Sequence, residues 1–221
     1  MRLKLWTVAL AFLPAATAAT ITLNPTSFGF YTDTGTASPG NHAIGWYGGP
    51  DGEIRQYLIF DRTLVSGTIT GATLRLEDPQ SGYSSPDPQE TWALFDVNVA
   101  LAGLSGGTGG LAAYNDLGGG VTLGSLIVSP ANTHTVISMS LDANGLAYLN
   151  GQSGVFAIGG ALTTLARTNS VSERLFNNGN GPSLLRELEL TYEPAGGASV
   201  PEPASCLLLG VGLLIAGSLK R

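Results

Sequence analysis

Apolar and polar residues alternate with period two along much of this chain, the repeat of a strand with one wet face. From Leu184 to Glu193, Leu184, Arg186, Leu188, Leu190 and Tyr192 alternate with Leu185, Glu187, Glu189, Thr191 and Glu193. The first set predicts a core face, and Arg186 breaks it, as expected of a residue at a sheet edge. From Thr70 to Glu77, Ala72, Leu74 and Leu76 oppose Thr73, Arg75 and Glu77. Ala93, Phe95, Val97 and Val99 alternate with Trp92, Leu94, Asp96 and Asn98. Tyr57-Leu58-Ile59-Phe60 is apolar on both faces, which predicts a central strand covered on both sides. Val121–Val128, Thr135–Leu141 and Gly154–Ile158 add shorter candidates.

Gly, Pro, Asn and Asp clusters separate these runs, so the pattern predicts an all-β sandwich or jelly roll of roughly eight to ten strands. One helical segment is expected over Asp142–Asn150, with Asp142 as cap, Leu146 and Leu149 inward and Gly151 at the end. Gly103 to Gly120 reads as a long Gly-rich loop.

The two ends depart from this pattern. Arg2 and Lys4 precede an apolar run from Leu5 to Leu13, then Pro14 and the small-x-small triplet Ala16-Thr17-Ala18. That order predicts a secretory signal peptide over residues 1–19. At the other end, a Gly/Ala/Ser linker (195–199) leads to Val200-Pro201-Glu202-Pro203. No charge then occurs from Ala204 to Leu219, and the chain ends in Lys220-Arg221. Pro201 and Pro203 hold the backbone extended. The apolar stretch, as a helix, rises about 24 Å, and snorkelling of Lys220 and Arg221 extends its reach toward a hydrocarbon core of about 30 Å. The terminal cations favour a cytoplasmic C-terminus.

Residues 200–221 resemble the PEP-CTERM sorting signal of Gram-negative bacteria, with motif, apolar helix and basic pair in the family's order. The resemblance implies that an integral-membrane exosortase recognises Pro201-Glu202-Pro203 and removes the helix. It implies a protein held at the inner membrane before processing, then placed at the cell surface or outside it among exopolysaccharide and biofilm components. The basic tail is shorter than many members carry. A second resemblance lies in the body (20–194). Arg55-Gln56-Tyr57-Leu58-Ile59-Phe60-Asp61, followed by Ile69-Thr70-Gly71-Ala72-Thr73-Leu74-Arg75-Leu76, is similar to the front half of secreted bacterial jelly-roll modules related to carbohydrate-binding modules. These are mostly core positions, so the likeness bears on fold more than on ligand.

Composition narrows the function. Only 12% of residues are charged and Gly supplies 31 of 221. Four of the ten basic residues and one of the sixteen acidic ones lie in the end segments, so the body keeps six Arg, no Lys and a net charge of about −9. That balance argues against nucleic-acid binding. A single Cys excludes an intramolecular disulfide. Gly103-Leu104-Ser105-Gly106-Gly107, with Asp116 and His134 downstream, matches a nucleophile-elbow pattern, but a Gly-rich run follows Ser105 where a helix is required. His42 and His134 are the only two His, and His42 is expected at a strand edge or in a loop.

Carboxylates cluster at Asp51/Glu53, Glu77/Asp78 and Asp87/Glu90. Their first reading is solvated surface, with structural calcium next and paired acid–base catalysis last. Asp51 and Glu53, in a Gly-rich turn, are the first choice for calcium. Trp46, Tyr47, Tyr83 and Trp92 are candidate sugar-stacking side chains, against the plainer reading of aromatics in a core. The sequence therefore predicts an exported, non-catalytic surface or matrix protein. Its alternative is a carbohydrate-binding module for extracellular polysaccharide, and a secreted glycan-active enzyme stands third.

Overall fold

The computed structural model describes residues 18–49, 52–167, 171–177, 181 and 184–195. The signal peptide (apart from its last two residues), the sorting signal, Lys220, Arg221 and Asp51 lie outside them. The chain opens with β1 (Ala19–Leu23), β2 (Ser27–Thr32), β3 (Ala37–Pro39), β4 (Ile44–Trp46), β5 (Glu53–Asp61), β6 (Gly67–Glu77) and β7 (Glu90–Asp96). Helices α1 (Leu101–Ser105) and α2 (Gly110–Asp116) follow, then β8 (Thr122–Val128) and β9 (Val136–Ser140). Helix α3 (Ala143–Gly151), β10 (Val155–Leu162), β11 (Glu173–Leu175) and β12 (Arg186–Pro194) complete the order.

All strand pairings are antiparallel. A smaller sheet runs β1-β12-β6-β9, and a larger one runs β11-β4-β5-β10-β7-β8 with the β2–β3 hairpin joined to β5. The two enclose one core. Leu74, Leu76, Leu188 and Leu190 enter it from the smaller sheet, and Leu58, Phe60, Trp92, Leu94, Phe156 and Ile158 from the larger. Register explains the alternation: Leu188 faces Leu74 across the pair, while on the opposite face Glu187 lies beside Arg75 and forms an ion pair with it. The protein is thus mostly β, in a two-sheet, sandwich-like arrangement with twelve strands among the described residues, more than the pattern predicts. The excess comes from three-residue strands too short to show a period: β3, β4 and β11.

Arg186 is buried rather than edge-exposed. It opens β12, and β1 pairs no further than Leu188, so the backbone beside it is uncovered by β1. Its guanidinium lies 4.2 Å over the Phe28 ring, and Nη1 donates to the Leu184 carbonyl at 3.2 Å. A cation is tolerated here because an aromatic face and carbonyls replace water.

Gly103–Gly120 is not one loop. It forms α1 and α2, and Leu104, Ala113, Tyr114 and the capping Leu117 bury against Tyr31, Tyr57, Ile59 and Ala157 on the outer face of the larger sheet. Tyr31 Oη donates to the Gly103 carbonyl at 2.6 Å and accepts from the Gly109 amide at 3.1 Å. This cover is why β5 is apolar on both faces. Helix α3 forms as its sequence predicts. Asp142 Oδ1 accepts from the Asn144 and Gly145 amides at 2.8 and 3.0 Å, and Leu149 enters the core. Asn150 then fixes the helix to β6 by a reciprocal pair of bonds with the Ile69 backbone at 2.8 and 2.9 Å.

One glycine positions the site below. Gly45 in β4 has φ +118°, and a Cβ there would stand 2.0 Å from the Glu173 carbonyl oxygen. Only Gly permits both that backbone and that approach of β11.

Candidate functional site

Three carboxylates converge where β7 and β11 meet the loop before β7. Asp87, Glu90 and Glu173 each present an oxygen within 4.8 Å of the other two. Topology brings them together. Ser84 and Arg174 exchange backbone bonds of 2.9 and 2.8 Å, which dock the loop on β11 beside Glu173. The loop then returns into β7 at Glu90. Tyr83 Oη donates to the Asp87 carbonyl at 2.7 Å, and Ser85 Oγ accepts from the Asp87 amide at 3.1 Å, holding the turn.

Glu90 and Glu173 are fully buried, while Asp87 is half-exposed and Thr164 exposed. Glu90 accepts from Ser85 Oγ at 2.6 Å and from Thr164 Oγ1 at 2.5 Å. Glu173 Oε2 accepts from the Ala166 amide at 2.7 Å. Glu173 Oε1 is buried and meets no hydrogen-bond donor among the described residues. Arg55 and Arg167 pair with Glu53, and Arg75 with Glu187, so these three guanidinium groups are engaged elsewhere. Burial, then the charge of Glu90, raises the Tyr83 hydroxyl pKa above its ordinary value.

The residues singled out from sequence fall elsewhere, with three exceptions: Asp87 and Glu90, one of the three carboxylate pairs, and Tyr83, whose hydroxyl holds the turn at Asp87. Both Glu53 oxygens are held by guanidinium groups, and its expected partner Asp51 lies outside the described residues. Oε1 accepts from Arg55 Nε at 2.8 Å and Oε2 from Arg167 Nη2. Trp92 is no stacking platform. It shares the face of Leu94, is fully buried, and meets Phe176 edge-on at 5.1 Å. Trp46 and Tyr47 are half-buried, and the Arg174 guanidinium lies 4.1 Å over the Tyr47 ring. Tyr83 is half-buried with its hydroxyl engaged at Asp87.

His42 lies in the loop between β3 and β4, one of the two places expected for it, but is buried there. Its ring stacks on Phe176 at 4.7 Å and bonds Gln56 Oε1 through Nε2. Burial, reinforced by Arg186, lowers its pKa to about 3. Ser105, Asp116 and His134 do not assemble a triad. Ser105 Oγ donates to the Leu101 carbonyl, Asp116 accepts from the Asn98 and Val99 amides, and His134 lies exposed in a turn.

A second feature is a cleft of about 270 Å³ on the larger sheet, lined by Glu53, Arg55, Gly118, Thr163 and Arg167. Arg55 spans it, donating to the Tyr114 carbonyl at 3.1 Å with its guanidinium 4.2 Å over the Tyr114 ring. Burial, with the neighbouring Glu53 charge, pushes the Tyr114 hydroxyl up to about 12. Arg167 is more than half exposed and presents charge to the opening. No protein-family model matches the chain, and no curated protein is similar to it.

Proposed function

We propose that this chain is an exported, non-catalytic surface or matrix protein of the jelly-roll type, processed by an exosortase-type membrane protease at Pro201-Glu202-Pro203. The tail itself carries the reading: a Pro-Glu-Pro motif, an uncharged stretch and a basic pair follow one another in that order. The boundaries of the fold support it. Strand β1 begins at Ala19, directly after Ala16-Thr17-Ala18, and β12 ends at Pro194, just before the linker. Ala19 pairs with Tyr192, so both signals attach at neighbouring points and both can be cut without removing a strand. The acidic body suits a soluble life beside anionic polymer.

Replacing Pro201, Glu202 and Pro203 together by Ala tests this. The substituted protein is expected to stay in the membrane fraction at precursor mass, while the unaltered chain is shortened and leaves it. Equal shortening of both would reject the proposal. A carbohydrate-binding role is the second reading, favoured by the charge-lined cleft on the larger sheet. It predicts binding on a polysaccharide array, reduced about tenfold or more in Arg167→Ala; no binding with or without calcium removes it.

A further inference from the structure

We propose that Asp87, Glu90 and Glu173 form a calcium site that ties the loop before β7 to the edge strand β11. The site stands on its own side chains and does not depend on the export reading. Three carboxylates, two of them fully buried, share a small volume with neutral donors only: two hydroxyls and one amide. Buried like charges at such a distance cannot all persist without a compensating positive charge. Arg55, Arg75 and Arg167 do not supply it, since they pair with Glu53 and Glu187. Glu173 Oε1 is the second, independent indication. It is an oxygen removed from water with no donor among the described residues, and leaving it bare is costly.

The ligand chemistry selects the ion. Carboxylates, with hydroxyls of Ser85 and Thr164 beside them, form an all-oxygen set, which suits a hard cation rather than a thiol- or imidazole-seeking metal. Oxygens at about 2.4 Å from calcium reach at most about 4.8 Å apart across the ion, and the three carboxylates lie within that limit; calcium also accepts irregular oxygen shells, whereas magnesium demands a strict octahedron and sheds its waters reluctantly. Half-exposed Asp87 and exposed Thr164 leave a side open to entry and to completing waters.

The test uses the full chain in detergent, with thermal unfolding in 10 mM CaCl2 against EGTA and terbium luminescence excited through Tyr83 and Trp92. An affinity on the order of 10⁻⁴ M, usual for extracellular modules, predicts a Tm rise of roughly 5–10 °C with calcium and a much smaller one with magnesium. Calcium should displace the terbium signal. Glu173→Gln should abolish both effects. Asp87→Asn, at a half-exposed position that tolerates substitution, should weaken binding about tenfold or more and keeps the test decisive if the first variant does not fold. The proposal is overturned if calcium and EGTA give the same Tm, if either variant responds as the unaltered chain does, or if Glu173→Gln raises stability without calcium.

Discussion

Trp92→Ala is expected to destabilise the protein by about 3–5 kcal/mol, the usual cost of emptying an aromatic-sized hole in a packed core. Trp92 is the largest of the fully buried side chains among the described residues and enters the core from β7, between β10 and β8 of the larger sheet. Its neighbours cannot close the gap, since β7 is clamped between β8 and β10 and Phe176 packs edge-on against the indole. Trp46→Ala removes a half-buried ring from a short strand and should cost well under half as much. Denaturant titration followed by near-ultraviolet circular dichroism reads both. A loss below about 1 kcal/mol for Trp92→Ala would mean that the indole is not a core element.

Acid is expected to act through His42, and its effect should be masked by Asp78. His42 has a folded pKa near 3 against an ordinary value of 6.5, because burial and Arg186 disfavour its cation. The unfolded chain therefore binds this proton more readily. His42's neutral packing contributes fully above pH 6.5 and is lost as pH falls toward 3, by on the order of 4 kcal/mol. Asp78 has the opposite sign. Burial raises its pKa to about 7, opposed by the Phe176 amide, which donates to Oδ1 at 3.1 Å. Its protonated folded form gains stability as pH falls from 7 to the ordinary carboxylate range. The two nearly offset between about pH 4 and 6.5, so these two groups leave the stability of the unaltered chain nearly level there. Asp78→Asn removes one side of the balance. That variant should exceed the unaltered chain by about 1–3 kcal/mol at pH 8, where the buried carboxylate is otherwise charged. It should then lose stability steeply from pH 6.5 downward. Urea midpoints from pH 4 to 8 decide it; a variant less stable at pH 8, or flat below 6.5, contradicts the assignment.

Strands with one wet face were the legible part of this sequence. β6 and β12 follow from the Leu/Glu and Leu/Arg alternation because solvent imposes period two on them. β5 follows from its doubly apolar run, although what covers its outer face does not. Glycine hides α1 and α2, whose Leu104, Ala113, Tyr114 and Leu117 series is interrupted by residues that normally signal turns. The inward face of β7 was ambiguous for a physical reason: Ala93 and Phe95 on one side and Trp92 and Leu94 on the other are all buried. The acidic cluster was half legible. Asp87 and Glu90 stand close in sequence, but Glu173 comes from a three-residue strand whose approach depends on Gly45. No local pattern reports such a meeting.

The account rests on a tail that is removed, and intact mass of the surface-exposed protein from cells with and without the processing protease tests it most directly. The predicted result is a chain beginning after Ala19 and lacking residues 204–221 when the protease is present, with the apolar stretch retained when it is absent. A mass that includes Arg221 in both cells would contradict the account.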